Sequence, residues 1–353
     1  MAKRRLSRHQ SWRIEKIQQQ RIQRAQKQEQ EQEQYIDELL HSSALNAEEN
    51  GTVITQYGQS ADIQMANGAI TRCFLRQNIG SVVAGDRVIF RQANGSDGVI
   101  VANRQRHSEL VRPDKYGKIK AIAANIDHIF IVFATEPEAQ EILIDRYLVA
   151  AELQGIRPSL VFNKIDLLTP HARADYLTRF SHYQNMGYPL IEASTHSQYG
   201  LNALCHALKD ANSVFVGQSG VGKSSLVNML LESNSARVAN ISEANHKGRH
   251  TTTAATLYHC PTGGHIIDSP GIREFGLWHI EPERLIDGFI DFQPFIGHCQ
   301  FRNCTHDNEK GCALTAAVKQ GKILPLRLAN YHRIMKTIVE SSHLANSAQK
   351  PSH

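Results

Sequence analysis

The order of two short segments restricts the fold of this chain more than anything else. Asn163-Lys164-Ile165-Asp166 closes an apolar run (SLVF), and Gly217-Gln218-Ser219-Gly220-Val221-Gly222-Lys223-Ser224 comes after it, between the apolar SVFV and the helical pattern KSSLVNMLL. The later segment fits G-x-x-x-x-G-K-S in full and lies between strand and helix, as a phosphate loop requires. Its glycines let backbone N–H groups face phosphates, Lys223 reaches the β- and γ-phosphates, and the Ser224 hydroxyl ligates Mg²⁺, with Ser225 in the same turn. The earlier segment is N-K-x-D, a guanine reader. Asn163 anchors the purine edge, the Lys164 stem lies over the base plane, and Asp166 can accept hydrogen bonds from guanine N1 and N2, a donor pair adenine lacks.

Two weaker signals complete the set. Asp268-Ser269-Pro270-Gly271 follows the strand pattern GGHII. Asp268 there would hold Mg²⁺ through water, and the Gly271 N–H would touch the γ-phosphate. Glu192-Ala193-Ser194-Thr195 suits a loop that supports the base, with Ser194 giving a backbone donor to the guanine oxygen. D-x-x-G alone is an ordinary strand-to-loop turn. In company with the other motifs it specifies GTP over ATP.

The elements run base reader, base support, phosphate loop, switch I, switch II. An ordinary GTPase starts with the phosphate loop. One cyclic shift converts the usual order into this one. The same sheet forms if the old termini are joined and the chain is opened after switch II, a change tolerated where termini lie close and exposed. The consequence is mechanical: the loop that senses the γ-phosphate runs directly into the next segment of the chain.

That segment contains Cys299-x₄-Cys304-x-His306-x₅-Cys312 among polar neighbours. Three thiolates and one imidazole suit a closed, tetrahedral, structural Zn²⁺. Such crowding of cysteines points to a metal site in a reducing compartment rather than a disulfide framework. Cys73, Cys205 and Cys260 sit in apolar patterns and read as core.

The rest of the chain falls into place around these motifs. Residues 1–48 form a Gln-rich arm bearing Lys3, Arg4, Arg5, Arg8, Arg13, Lys16, Arg21, Arg24 and Lys27 against Glu15 in its first half. It is too polar to bury a core, so it is expected to be disordered or transiently helical, serving either as a solubilising tail or as an RNA-binding arm. Residues 49–108 show five short strand patterns separated by turn signals such as Asn67-Gly68, which predicts an OB-type β-barrel. Residues 109–276 alternate strand and helix, the pattern of a doubly wound α/β P-loop GTPase domain. Across the boundary between the barrel and this domain, His107–Lys120 reads as a polar connector. Residues 277–345 form a zinc-binding domain with helices near TAAVKQG and RLANYHRIMKTIVES, and 346–353 a tail.

The permuted order, GQSGVGKSS, KGRHTTT (247–253), DSPGIREFGL (268–277) and the Cys/His cluster together resemble the RsgA (YjeQ) family of bacterial GTPases of small ribosomal subunit biogenesis. The resemblance covers roughly residues 50 to 340. It implies an OB-fold, a permuted GTPase and a zinc domain, with GTP hydrolysis stimulated by the small subunit late in its assembly. It also points to a catalytic residue. After D-x-x-G many GTPases place a Gln that orients the attacking water, but here Ile272 stands there. His250 in GRHTTT can orient or deprotonate water instead, and the family points to the same residue. The alternative is that Arg249 and His250 contact RNA. Thr252 is expected to complete the Mg²⁺ coordination.

Bulk properties agree. No apolar run approaches the roughly 18 residues that span a bilayer. The N-terminus has no apolar segment behind its charges, so it is not a secretory signal; its resemblance to an Arg-rich organellar presequence is weakened by its Gln content. A net charge of +5 suits local rather than global contact with nucleic acid. Together with what the resemblance implies, the expectation is a cytoplasmic, monomeric enzyme with the small subunit and its rRNA, GTP and GDP as partners and no membrane. Rival readings are a nucleotide-gated RNA scaffold with little turnover and an RNA-modification or translation-factor GTPase.

Overall fold

The computed structural model describes residues 45–93, 97–114, 117–232, 254–269, 280–307 and 309–348, with side chains excepted at Gln77 and from 341 onward. In the arm only residues 16, 17, 19, 20, 23, 24, 27 and 34 are described; they are helical and exposed. The expectation for the remainder of the arm lies outside the described residues. Two compact units are present.

The first unit is a five-stranded barrel of β1 (Leu45–Tyr57), β2 (Ser60–Met65), β3 (Ile70–Leu75), β4 (Arg87–Ala93) and β5 (Gly98–Asn103). The strands follow the order β1-β2-β3-β5-β4, and β4 pairs back on β1, which closes the barrel. β3 and β5 run parallel and the other recorded pairs antiparallel. Alternating side chains fill the interior: Ala61, Ile63, Cys73, Val88, Phe90, Val99 and Ile100 are fully buried. Burial pushes the Cys73 thiol pKa up to about 12, in keeping with an inert core cysteine. β1 begins at Leu45, upstream of the boundary read from the pattern. Its opening residues, NAEEN, are exposed and show no alternation. Backbone pairing with β4 makes it a strand, from Leu45↔Ala93 to Thr52↔Arg87.

The second unit holds Val53–Gln56, Val83–Asp86 and the chain from Gln105 on. Its sheet has β10 (Leu190–Glu192), β9 (Arg157–Asn163), β8 (His128–Ala134), β11 (Asn212–Val216) and β13 (His265–Asp268) side by side and parallel. β12 (Thr256–His259) adds antiparallel to β13, and Thr55 of β1 pairs with Thr256 at its edge. β8 is buried along its whole length, as a central parallel strand must be. Successive residues face opposite layers. Ile129, Ile131 and Phe133 pack with α1 (Glu141–Leu153) and α2 (Pro170–Asn185). Phe130 and Val132 pack with α3 (Leu201–Leu208) and α4 (Lys223–Glu232). The sheet is doubly wound in the permuted chain order.

One local reading changes. The stretch taken as a polar connector is a hairpin, β6 (Glu109–Pro113) with β7 (Ile119–Ala124). Leu110, Val111, Ala123 and Ala124 are buried beneath its charged residues, and Asp114 caps the turn by accepting from the Lys118 N–H at 3.0 Å. β12, between the switches, carries only four residues and no strong pattern of its own.

After residue 280 come 3-10 turns, then α5 (Ala313–Lys319) and α6 (Pro325–Ala348). Leu285, Phe289, Phe292, Leu314, Tyr331 and Ile334 share one hydrophobic core with Tyr147, Leu148 and Val149 of α1. A polar knot is sealed inside that core. Arg327 donates to Asp145 and to Asp291, Asn330 donates to the other Asp145 oxygen at 2.7 Å, and the Tyr183 hydroxyl donates to Asp145 at 2.7 Å.

Candidate guanine-nucleotide site and metal cluster

Parallel strands bring their C-terminal ends to one edge of the sheet, where α/β proteins of this kind bind ligands. Asn163 ends β9, Val216 ends β11 and Asp268 ends β13, with β8 between β9 and β11. Motifs scattered over a hundred residues of sequence thus converge.

The phosphate loop is backbone-limited. Gly217 has φ +137°, and a Cβ there would lie 2.1 Å from the Val132 carbonyl oxygen. Gly222 has φ +95°, and a Cβ there would lie 2.4 Å from Asn163 Nδ2. Lys223 is buried, with Nζ donating to the Gly217 and Gln218 carbonyls at 2.7 Å each. That holds the ammonium across the loop. Ser219, Gly220, Ser224 and Ser225 are exposed, Gln218 and Gly222 half-buried, and Val221 anchors the loop in the core at 1% exposure. α1 contributes a contact that sequence reading missed: the Tyr147 phenol, whose pKa burial pushes up, is hydrogen-bonded to the Gly217 backbone.

The base-reading loop is tied to the phosphate loop by side chains. Asn163, fully buried, donates from Nδ2 to the Val221 carbonyl at 2.8 Å. Its Oδ1 is buried with no hydrogen-bond partner among the described residues. Lys164, in the left-handed region at φ +63°, donates from Nζ to the Glu136 and Gly220 carbonyls at 2.7 Å each. Asn163 and Lys164 therefore set the distance between the two loops. Ile165 is buried beneath them, and Asp166 is exposed at the rim. The Ser194 hydroxyl donates to Asp166 and accepts from the Ser197 N–H at 3.1 Å, which aims the carboxylate. Behind this pair, Arg173 of α2 is ion-paired with Glu192, donates to the Tyr199 hydroxyl at 3.1 Å and stacks on its ring at 5.0 Å. Nothing local in the sequence marks that brace.

Asp268 is half-buried at the end of β13, and Ser269 beside it is buried. Ser224 lies in the first turn of the helix that follows β11, and Asp268 ends the neighbouring β13. His250, Thr252, Gly271 and Ile272 lie outside the described residues.

The sulfur and nitrogen atoms of Cys299, Cys304, His306 and Cys312 lie within 4.8 Å of one another and could hold a metal ion. His306 Nδ1 is 3.5, 3.7 and 3.6 Å from the sulfurs of Cys299, Cys304 and Cys312. A tetrahedron with Zn–S about 2.3 Å and Zn–N about 2.05 Å requires roughly 3.6 Å between N and S. The donor type and the three nitrogen–sulfur distances suit zinc. Burial pushes the His306 pKa below its usual value and favours the neutral ligand form. His332 of α6 donates to the His306 carbonyl at 2.9 Å, and the Ala313 N–H donates to Cys299 sulfur at 3.3 Å.

Comparison with known proteins bears on the whole chain. Residues 103–278 match the family described as RsgA GTPase. Proteins named small ribosomal subunit biogenesis GTPase RsgA from Hahella chejuensis and Azotobacter vinelandii are 50% and 49% identical to it, over 96% and 97% of this chain and 98% and 100% of theirs. This chain belongs to the RsgA family of GTPases. Among solved structures, YjeQ from Thermotoga maritima aligns at TM-score 0.70 with 28% identity, over 83% of this chain and 99% of that one. YloQ, described as a circularly permuted GTPase, aligns at TM-score 0.67 with 26% identity, over 89% and 99%. RsgA membership makes the chain a GTP hydrolase rather than a scaffold, and the permuted motif order is the family's architecture. No helix among the described residues is long and apolar enough to cross a membrane.

Proposed function

We propose that this GTPase acts in late maturation of the small ribosomal subunit, docking on the subunit and its rRNA with GTP bound and leaving after hydrolysis to GDP and phosphate. The relatives that match along nearly the full chain are named small ribosomal subunit biogenesis GTPases, which supports this reading. The observation that carries the reading is the clamp of Asn163 and Lys164 on the Val221 and Gly220 carbonyls, which preassembles base reader and phosphate loop in a permuted chain.

In this reading Asp166 selects guanine, steadied by Ser194 and flanked by Asn163, Lys164 and Ile165. The loop from Gly217 to Ser225 holds the phosphates, and Lys223 offsets charge that builds on the β- and γ-oxygens. Ser224, Asp268 and Thr252 hold Mg²⁺, which when bound neutralises phosphate charge. Gly271 senses the γ-phosphate. His250 orients the attacking water in place of the Gln absent at Ile272, a role worth about 10²- to 10⁴-fold. Zn²⁺ at Cys299, Cys304, His306 and Cys312 is structural, since the protein supplies all four ligands. The barrel (49–108), the GTPase domain (109–276) and the zinc domain (277–345) act as docking, switch and docking modules of a cytoplasmic monomer, with the basic arm adding phosphate contacts.

The test is multiple-turnover GTP hydrolysis with and without purified small subunits, using wild type and His250→Ala. Stimulation by subunits that His250→Ala abolishes, with nucleotide affinity kept, is the expected result. Turnover indifferent to small subunits would sink the ribosomal role. Full stimulation of His250→Ala would move the catalytic group elsewhere.

A further inference from the structure

Of the Cys/His cluster only Cys312 is buried, and the loop between Cys299 and Cys304 lies outward. Gln300, Phe301, Arg302 and Asn303 are all exposed, and Phe301 is 53% exposed. A phenyl ring is not normally left in water when a small shift of the chain would hide it. Here the chain cannot shift freely. Cys299 and Cys304 converge on the same cluster at either end of the loop. The Cys304 N–H closes a turn onto the Phe301 carbonyl at 3.3 Å, and the Gln300 N–H is held by the Gly311 carbonyl at 3.0 Å. The ring is thus presented on a fixed platform.

The Gly311 contact also fixes what lies beside it. Gly311 lines a cleft of about 560 Å³ whose walls carry Lys310, Lys319, Lys322 and His298, all exposed. Lys322 Nζ lies 6.0 Å from the centre of the Phe295 ring in the same wall. The cleft has one carboxylate, Glu309, and that group already accepts from the Thr305 N–H and hydroxyl at 2.9 and 2.7 Å. A cationic cleft beside a rigid exposed aromatic, with an arginine next to the ring, is the combination that holds unpaired nucleic acid: bases stack on the ring and phosphates follow the cations. A duplex would not suit it, because its bases are already stacked and cannot reach a side chain. The loop has no second apolar residue to make a hydrophobic protein contact.

Resting on the ribosomal reading above, we infer that Phe301 stacks on an unpaired RNA base while Lys310, Lys319 and Lys322 carry the flanking phosphates. The metal cluster then serves to aim one aromatic side chain at single-stranded RNA.

The experiment measures binding of fluorescein-labelled 12-nucleotide oligouridine and oligoadenine by anisotropy across a salt series, with full-length wild type, Phe301→Ala, Phe301→Trp and Lys319→Ala/Lys322→Ala. Metal content and basal GTP turnover are measured on each. Phe301→Ala is expected to weaken binding about 5- to 150-fold, with an unchanged slope of log affinity against log salt. Phe301→Trp should restore it. The double lysine variant should instead flatten the slope by about 0.7 for each phosphate it no longer neutralises. Wild-type affinity in Phe301→Ala overturns the inference, and so does a loss that Phe301→Trp fails to restore. Sedimentation with small subunits separates the remaining cases. If Phe301→Ala weakens subunit binding but not oligonucleotide binding, the ring touches a ribosomal protein and the inference is wrong. If wild type binds the oligonucleotides through Phe301 yet does not sediment with subunits, the ribosomal reading fails and the RNA contact stands.

Discussion

Replacing Arg327 by Met isolates the sealed knot between α1 and the C-terminal segment. Arg327 is 1% exposed, Asp145 0% and Asp291 11%. The guanidinium lies 4.6 Å from the Phe289 ring centre, a packing role that Met keeps in part. The charge is another matter. Without it two carboxylates remain in the core, Asp145 with the neutral donors Asn330 and Tyr183 and Asp291 without its guanidinium partner. Removing one partner of a buried pair costs about 3–5 kcal/mol. For a unit of this size each kcal/mol moves Tm by about 2–4 °C, so Arg327→Met should melt roughly 6–20 °C below wild type. Circular dichroism melts at pH 7, with zinc content measured alongside, give the answer. The control is Arg327→Met with Asp145→Asn and Asp291→Asn. It removes every charge and should recover most of the loss, because a neutral buried site carries no uncompensated ion. A fall of under about 3 °C in the single variant, or no recovery in the triple, would refute the reasoning. The first outcome would mean that water reaches Asp145 and the knot contributes little.

Other perturbations probe the remaining links. Asp166→Asn should lose GTP affinity and gain xanthosine triphosphate affinity, because xanthine presents an acceptor where guanine has its amino donor; an unchanged preference in nucleotide titrations would refute the base assignment. Gly222→Ala should weaken GTP binding by at least tenfold in calorimetry, since its Cβ would lie 2.4 Å from Asn163 Nδ2 at φ +95° and the left-handed backbone adds about 1–2 kcal/mol of strain; wild-type affinity would show that the loop relaxes. Metal analysis should find one zinc per chain, and Cys312→Ser should lower it while GTP binding survives; wild-type protein without zinc would count against the assignment. His128 is buried, its Nδ1 donating to the Ala207 carbonyl and its Nε2 accepting from Ser159, and burial pulls its pKa from 6.5 down to about 4. The unfolded chain takes up that proton first, so its contribution is complete above pH 6.5 and is lost as pH falls from 6.5 towards 4. By pH 5 that amounts to about 2 kcal/mol. Urea titrations of His128→Asn should show a shallower acid dependence than wild type, and identical slopes would exclude His128 as the source.

The motifs were legible because their signals are covalent. The spacing of Gly217, Gly222 and Lys223, of Asn163 and Asp166, and of the three cysteines around His306 is set along the chain. Each set is local in the chain, so its spacing could be read without any other part of the fold. Motif order is likewise a property of the chain, and it was enough to expose the permutation. Alternation of apolar residues was readable for the same local reason in β8 and in the barrel strands. It failed at the β6–β7 hairpin, where Arg112, Asp114, Lys118 and Lys120 obscure the buried Leu110, Val111 and Ala123.

Contacts between distant residues left no trace in the pattern. Asp145 interrupts the helical stretch EILIDRYLVAAEL as an ordinary charged residue would. Its partner Arg327 lies 182 positions away in another helix, and each reads singly as a solvated charge. Folding buries both, and it also brings Arg173 behind the base-supporting loop and Tyr147 under Gly217. The type of a side chain states what it can pair with. Where that partner stands depends on how the sheet and helices pack, and a chain of letters carries that only through the free energy of the whole fold.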